Sequence, residues 1–341
     1  MSNHYLSQKI INWQEEFGRN HLPWQKNRSV YTTLVSELML QQTQVTTMRP
    51  YYQNFIDHWP TIDSLKKASL DQVMQAWSGL GYYRRAQYLK KTVDYLPDDQ
   101  SQQQFNIQDW MKFPGIGRST AGAIGSLALK KPWPILDGNV KRVFSRLFKL
   151  QHPINSTLGL KLLWNIAADC MPTLQPDRYN QGLMDLGSMI CTPINPKCKQ
   201  CPCNDLCLAF RDDTVQSYPI TVKKNKPIPI KKWDLVLLIE EKSFFLEKRA
   251  KKNLWGNLYC PLILQESQTN DYLSTINLNS TSKLHQFKHL FTHFKLEANV
   301  YSVAIKNKQY LKLPTGKWVT NWHGLALAKP IKDCLENIFL S

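Results

Sequence analysis

The 341-residue chain has no long hydrophobic run. No window approaches 18 uncharged apolar residues, which excludes a membrane-spanning helix. Glycine is scarce, at 14 residues, and 8 cysteines are too few for a chain this long to be a disulfide scaffold. Collagen-like and disordered readings fall with them, because 43% of the residues are hydrophobic and only 20% charged. The opening stretch, MSNHYLSQKIINWQEEF, places charges inside its apolar stripe and lacks a small-residue cleavage site, so no secretory signal and a cytoplasmic location are expected. Acidic residues are the last shortage: 26 against 43 basic ones leave a net charge of +17. The excess is shared almost equally by residues 1–224 and 225–341, so both parts are suited to face a polyanion.

Two cores are expected from this length. From Ser2 to about Phe210 apolar residues recur three and four apart, as in Leu34, Leu38, Val45 and Met48 or Val140, Val143, Phe144 and Leu147, which reads as all-helical. Residues 216–232 are rich in proline and lysine without periodicity, as in a linker. Beyond it DLVLLIEE, SFFLEKR, KLEANVYSVAI and KWVTNW are β-branched or aromatic runs, closed by a helix expected from Leu325 to Phe339.

Two local patterns carry chemistry. Phe113-Pro114-Gly115-Ile116-Gly117-Arg118-Ser119-Thr120 reads as a tight turn between two helices, its glycines allowing positive φ and close backbone approach, and the following helix offers free N–H groups to a phosphate. SGLGYYRRAQ, residues 78–87, repeats the theme. Five cysteines fall within seventeen residues, and Cys191-x6-Cys198-x2-Cys201-x5-Cys207 gathers four thiolates in one loop. On chemistry alone they suit zinc or an iron–sulfur cluster equally well.

A helix-hairpin-helix followed by this cysteine spacing resembles the endonuclease III superfamily of base-excision DNA glycosylases. Within it, SELMLQQTQV, GLGYYRRAQ, FPGIGRSTAGAI, LDGNVKRV and NQGLMDLGSMICT are similar to the MutY family of adenine DNA glycosylases. The resemblance implies a helical glycosylase domain over 1–215, with the hairpin at about 108–130 and a 4Fe-4S loop at 191–207. A linker at 216–232 and a MutT-like (Nudix) α/β domain over 233–341 would follow. It further implies a monomeric, nucleoid-associated bacterial enzyme that removes adenine opposite 8-oxoguanine or guanine in double-stranded DNA. The runner-up is a superfamily member with another target, such as thymine in a G:T pair; the non-enzymatic alternative is a DNA-binding or electron-transfer protein using cluster and hairpin alone.

Cleaving a purine N-glycosidic bond needs a proton for the leaving base, stabilisation of a cationic sugar, and a placed water, which two carboxylates with separated pKa values supply. Glu37 sits among Leu34, Leu38 and Leu40, where burial raises its pKa, and helical spacing would align Gln41 and Gln44 with it. Asp137 is an expected helix N-cap held ionised. By resemblance Glu37 is the general acid and then the water activator, Asp137 faces the sugar cation, and Asn139 assists. Gln42 and Tyr82 match the family's wedge beside the orphaned base, and Gly115, Gly117, Arg118, Ser119 and Thr120 its DNA-binding turn. Ser119 stands where strand-nicking relatives carry a lysine, and a hydroxyl cannot form a Schiff base.

In the last third, only Glu266 follows Trp255-Gly256-Asn257-Leu258-Tyr259 where a hydrolytic Nudix box needs clustered carboxylates, so pyrophosphohydrolysis is not expected. Phe291-Thr292-His293 matches the family's Phe-Ser-His loop for 8-oxoguanine, with Thr292 replacing serine. Asn257 and Pro261 interrupt the usual Gly-Gly-Leu-Tyr-Cys-Phe-Pro run.

Overall fold

The computed structural model describes residues 3–97, 99–222, 227–264, 282–305 and 313–340. Glu266, invoked above, lies outside them. The chain forms two compact units, neither contiguous: residues 1–66 with 88–224, and residues 67–87 with 225–341. Among the described residues no helix is long and apolar enough to cross a membrane.

The first unit is helical, as its periodicity requires. Its N-terminal part holds α1 (Asn3–Phe17), α2 (Pro23–Lys26), α3 (Val30–Leu40), α4 (Val45–His58) and α5 (Ile62–Lys67). The short α6 (Leu70–Ala76) belongs to the second unit, and α7 (Arg84–Tyr95) leads back to the first. Then come α8 (Asp99–Gln104), α9 (Ile107–Met111), α10 (Arg118–Ala123) continued as a π-turn over Ile124–Ala128, α11 (Gly138–Leu147), α12 (Thr157–Asp169), α13 (Pro176–Met189) and α14 (Leu208–Arg211).

Helix α3 starts where Ser29 and Thr32 exchange hydrogen bonds in a capping box, and it buries Leu34, Val35, Leu38 and Met39. It stops at Leu40, because Gln41 leaves helical geometry and Gln42 has φ +57°. The expected alignment of Gln41 and Gln44 with Glu37 on one helix face is therefore wrong, and Gln44 is instead the N-cap residue of α4. Helix α11 buries the stripe Val140, Val143, Phe144 and Leu147 against α13, whose Gly187 has no room for a Cβ: it would lie 2.6 Å from the Asn139 Cβ.

The second unit is a seven-stranded mixed sheet of β1 (Ile230–Glu240), β2 (Ser243–Lys248), β3 (Tyr259–Cys260), β4 (Leu262–Ile263), β5 (Ser282–Leu290), β6 (Lys295–Ala304) and β7 (Gly316–Val319). The order is β3-β2-β1-β6-β5, with β4 added to β1 and β7 to β2. Strands β1 and β6 run parallel from Ile230 opposite Lys295 to Ile239 opposite Ala304, and the other pairings are antiparallel. The run Leu235–Leu238 is buried without alternation, as a central strand covered on both faces demands. Strand β1 begins inside the stretch expected to be linker, since Ile230–Lys232 pair with Lys295–Glu297. The closing helix, α15 (Lys329–Phe339), starts four residues later than expected, with Pro330 in its first turn.

Candidate functional site

Glu37 opens into a pocket of the helical unit lined by Trp24, Arg28, Ser36, Leu40, Gln181 and Met184 among others. It keeps partial exposure toward that pocket and is enclosed elsewhere. Burial, reinforced by the Asp137 charge and opposed by Arg28, pushes its carboxyl up to about 7. The polar wall is a chain of bonds. Arg28 donates to Gln181 Oε1 at 2.7 Å, Gln181 Nε2 donates to Asp185 Oδ1 at 3.1 Å, and Arg19 binds the same carboxylate through its Nε at 2.7 Å and its main-chain N–H at 3.0 Å. Trp24, Arg28 and Gln181 were not singled out from sequence, because α2, the loop after it and α13 contribute them from opposite ends of the unit. The only signal was Gln181 inside NQGLMDLG.

Asp137 is the N-cap of α11, as expected: its Oδ1 accepts the Val140 N–H at 2.7 Å. Its pKa, however, is raised by burial, against the lowering effect of the Val140 and Asn139 bonds. The cap alone does not offset the desolvation of a carboxylate this enclosed. Asn139 Nδ2 reaches Asp137 Oδ2 at 3.4 Å, while Arg142 donates to Asn139 Oδ1 at 2.8 Å and to the Cys191 carbonyl at 2.7 Å.

The expected turn between two helices joins α9 to α10. Gly115 has φ +79°, and a Cβ there would sit 2.7 Å from the Tyr88 ring; around Gly117 there is open space. Arg118 lies over Trp164 at 4.0 Å. Thr120 is buried, 8% exposed, and its hydroxyl and the Gly115 carbonyl both face Gln41 Nε2, at 3.5 and 3.3 Å. Its side chain thus props the turn from inside, facing Gln41 just past the end of α3. Ser119 Oγ accepts the Leu136 N–H at 3.0 Å. Gln42 is exposed.

Cys191, Cys198, Cys201 and Cys207 line one pocket together with Arg146, while Cys203 is fully buried beside it. Arg146 is 2% exposed and donates to the carbonyls of Thr192, Pro193 and Tyr218 and to Cys191 Sγ at 3.4 Å; among the described residues it reaches no carboxylate. Among the described residues, no three His, Cys, Asp or Glu side chains converge as for a single metal ion.

In the second unit Phe291, Thr292 and His293 form the turn joining β5 to β6, closed by the Phe291 N–H on the Phe294 carbonyl at 2.9 Å. Phe291 stacks on Phe294 and contacts Trp255, which leaves Thr292 and His293 at the exposed tip. Tyr82, carried by the 67–87 segment of the same unit, reaches Thr292 Oγ1 with its hydroxyl at 3.4 Å. Asn257, which interrupts the expected glycine pair, has φ +64°, so it takes the backbone a glycine would have held.

Residues 35–164 match the HhH-GPD superfamily of base excision DNA repair proteins, and residues 235–337 match the NUDIX domain. A thermostable thymine-DNA glycosylase superposes with a TM-score of 0.55 at 25% identity, covering 62% of this chain and 97% of that one. Fold and site thus define a DNA glycosylase of the helix-hairpin-helix superfamily followed by a mixed-sheet NUDIX α/β domain. The adenine DNA glycosylase of Buchnera aphidicola subsp. Schizaphis graminum is 39% identical over 98% of this chain and 99% of its own length, and that of subsp. Acyrthosiphon pisum 36% over 99% and 98%. The chain belongs to the adenine DNA glycosylase (MutY) family, enzymes of base excision repair whose substrate is DNA.

Proposed function

We propose that the enzyme removes adenine opposite 8-oxoguanine or guanine by hydrolysis alone. The observation that carries this reading is Glu37, its carboxyl pushed up to about 7 in a pocket that Trp24, Arg28 and Gln181 also line, where an extruded purine would meet a proton donor. Extrusion from the duplex costs a few kcal/mol. Gln42 and Tyr82 are suited to fill the gap: both are exposed and both have positive φ, a strained backbone that recurs at functional positions.

Protonated Glu37 transfers its proton to a ring nitrogen of adenine as the glycosidic bond breaks and its electron pair leaves with the base. Asp137, with Asn139 on its other oxygen, faces the cationic sugar. Glu37, now a carboxylate, takes a proton from the water that bonds to the anomeric carbon, and is restored. The neutral Ser119 hydroxyl offers no amine to compete with water. Gly115, Gly117, Arg118 and Thr120 build the turn that would meet the phosphate backbone, with Thr120 acting from behind, and Thr292 and His293 would read 8-oxoguanine. The enzyme would work as a monomer at the nucleoid.

The four cysteines fit a 4Fe-4S cluster. The four line one pocket, and buried Arg146, which reaches no carboxylate among the described residues, would gain its counter-charge from a cluster held by four thiolates. When bound, the cluster would cross-link the loop 191–207. Chromatography of bases released from duplexes with 8-oxoG:A, G:A, G:T and A:T pairs tests the whole reading. Adenine from the first two alone is expected, and thymine from the third would overturn it.

A further inference from the structure

The loop carrying Tyr82 is an unusual piece of backbone. Gly79, Gly81 and Tyr82 have φ of +97°, +79° and +48°, three left-handed residues within four. Such a path persists only where its surroundings over-determine it. Part of the hold is local: buried Arg85 donates to the carbonyls of Gly81 at 3.0 Å and Tyr82 at 3.3 Å and lies over the Tyr82 ring at 5.3 Å, and Trp77 Nε1 reaches the Gly81 carbonyl at 3.3 Å.

The remaining hold comes from the far end of the sequence and converges on one residue. Ser78 Oγ donates to the Leu327 carbonyl at 2.7 Å and accepts the Leu327 N–H at 3.3 Å, so a single hydroxyl clamps both main-chain groups. The Tyr83 hydroxyl donates to the same carbonyl at 3.2 Å and accepts the Gly79 N–H at 3.2 Å. Leu327 is itself fixed to the sheet by a parallel bridge with Tyr259, whose N–H binds the Ala326 carbonyl at 2.8 Å. Gln87 on the Gly256 carbonyl at 3.1 Å and Lys248 on Asp71 at 2.6 Å secure the two ends of the segment. Tyr82 is therefore carried on the frame that bears the β5–β6 turn, although the chain before Lys67 and after Gln87 belongs to the helical unit.

We infer that Ser78 is a positioning residue for damage discrimination: through its clamp on Leu327 it sets Tyr82 against Thr292, so that the NUDIX domain controls the wedge. The inference rests on the reading that this domain discriminates 8-oxoguanine from guanine. It assigns Ser78 no contact with DNA.

The test is a double-mutant cycle on the full-length enzyme, read as the ratio of single-turnover adenine release from 8-oxoG:A over G:A duplexes, with melting curves to verify folding. Ser78→Ala is expected to lower the ratio roughly three- to tenfold, the weight of one lost hydrogen bond, mainly through the 8-oxoG:A rate. Ser78→Thr should restore the ratio, and Tyr83→Phe, which keeps the ring, should lower it. In a Tyr82→Ala background Ser78→Ala should have no further effect. An equal fall in both backgrounds overturns the inference, since Ser78 would then act on the fold at large. An unchanged ratio in Ser78→Ala, with a lowered one in Thr292→Ala/His293→Ala, overturns it while sparing the domain's role. If neither variant moves the ratio, the discrimination reading fails first and takes this inference with it.

Discussion

The Ser119 hydroxyl accepts the main-chain N–H of Leu136, one residue before Asp137. The Ser119 side chain thus supports the stretch that leads into the Asp137 cap of α11. Ser119→Ala leaves a buried donor unpaired and should cost about 1–3 kcal/mol, read as a lower Tm. Borohydride should trap no adduct with the wild-type enzyme, whereas Ser119→Lys should give weak trapping at a similar loss of stability. Efficient wild-type trapping would refute the hydrolysis-only mechanism.

Glu37→Gln should bind an 8-oxoG:A duplex normally and release adenine about 10²- to 10⁴-fold more slowly, the usual weight of a general acid. With the carboxyl at about 7, wild-type single-turnover rates should fall as pH rises through that value. Stability follows the same proton. A carboxyl whose folded pKa exceeds its unfolded one keeps its proton better in the folded state, so its ionisation weakens the fold as pH rises from about 4.5 to 7. Glu37→Gln should therefore melt higher than wild type at pH 8, and the gap should close near pH 4.

Asp137→Asn keeps an oxygen for the Val140 N–H and removes a carboxyl that burial disfavours as an anion. Its Tm at pH 7 should be unchanged or higher, while adenine release falls to the level of Glu37→Gln. Asp137→Ala should lose the release and, with the cap, about 1 kcal/mol of stability. Denaturant melts of the two variants separate chemistry from capping.

Cys203 is buried beside the four-cysteine pocket without lining it, so Cys203→Ser should retain iron and visible absorbance, and Cys198→Ser should lose both. Arg146→Met, which removes the buried guanidinium beside Cys191, should make the cluster more sensitive to air. Iron and sulfide analysis checks each, and a wild-type protein loaded with zinc alone would refute the cluster.

Thr292 and His293 are exposed at the tip of the β5–β6 turn, where Thr292 meets the Tyr82 hydroxyl. Thr292→Ala with His293→Ala should leave the Tm and the G:A rate within about twofold and cut the preference for 8-oxoG:A several-fold. The same preference in single-turnover assays at matched salt would remove the turn from damage reading.

The helices and the central strands were legible because their burial is periodic or continuous: Val140 to Leu147 and Leu235 to Leu238 read directly as buried faces. Strand β5 was not, since SKLHQFKHL on an exposed sheet edge has no apolar alternation to betray it. Helix phase misled at Gln41, where a run of good helix formers hid a break fixed by the positive φ of Gln42. Local motifs located Glu37, Asp137 and the four cysteines. Trp24, Arg28 and Gln181 were illegible because only the tertiary packing of α2, α3 and α13 brings them to one pocket. The two-part division of the sequence also concealed that residues 67–87 fold with the C-terminal part, because the bonds that tie them there, such as Ser78 to Leu327, join residues far apart in the chain.

That interleaving has a consequence for how the chain is made. Ser78 emerges from the ribosome 249 residues before Leu327, the residue that clamps it. At about 5–20 residues per second, the Tyr82 segment waits roughly ten to fifty seconds for its partner. During that interval the helical unit can close around Glu37 while the segment between Lys66 and Tyr88 stays undocked. On the proposed reading, a nascent chain would therefore carry the Glu37 pocket before the Ser78–Leu327 clamp is made, so that discrimination would be completed after the catalytic machinery.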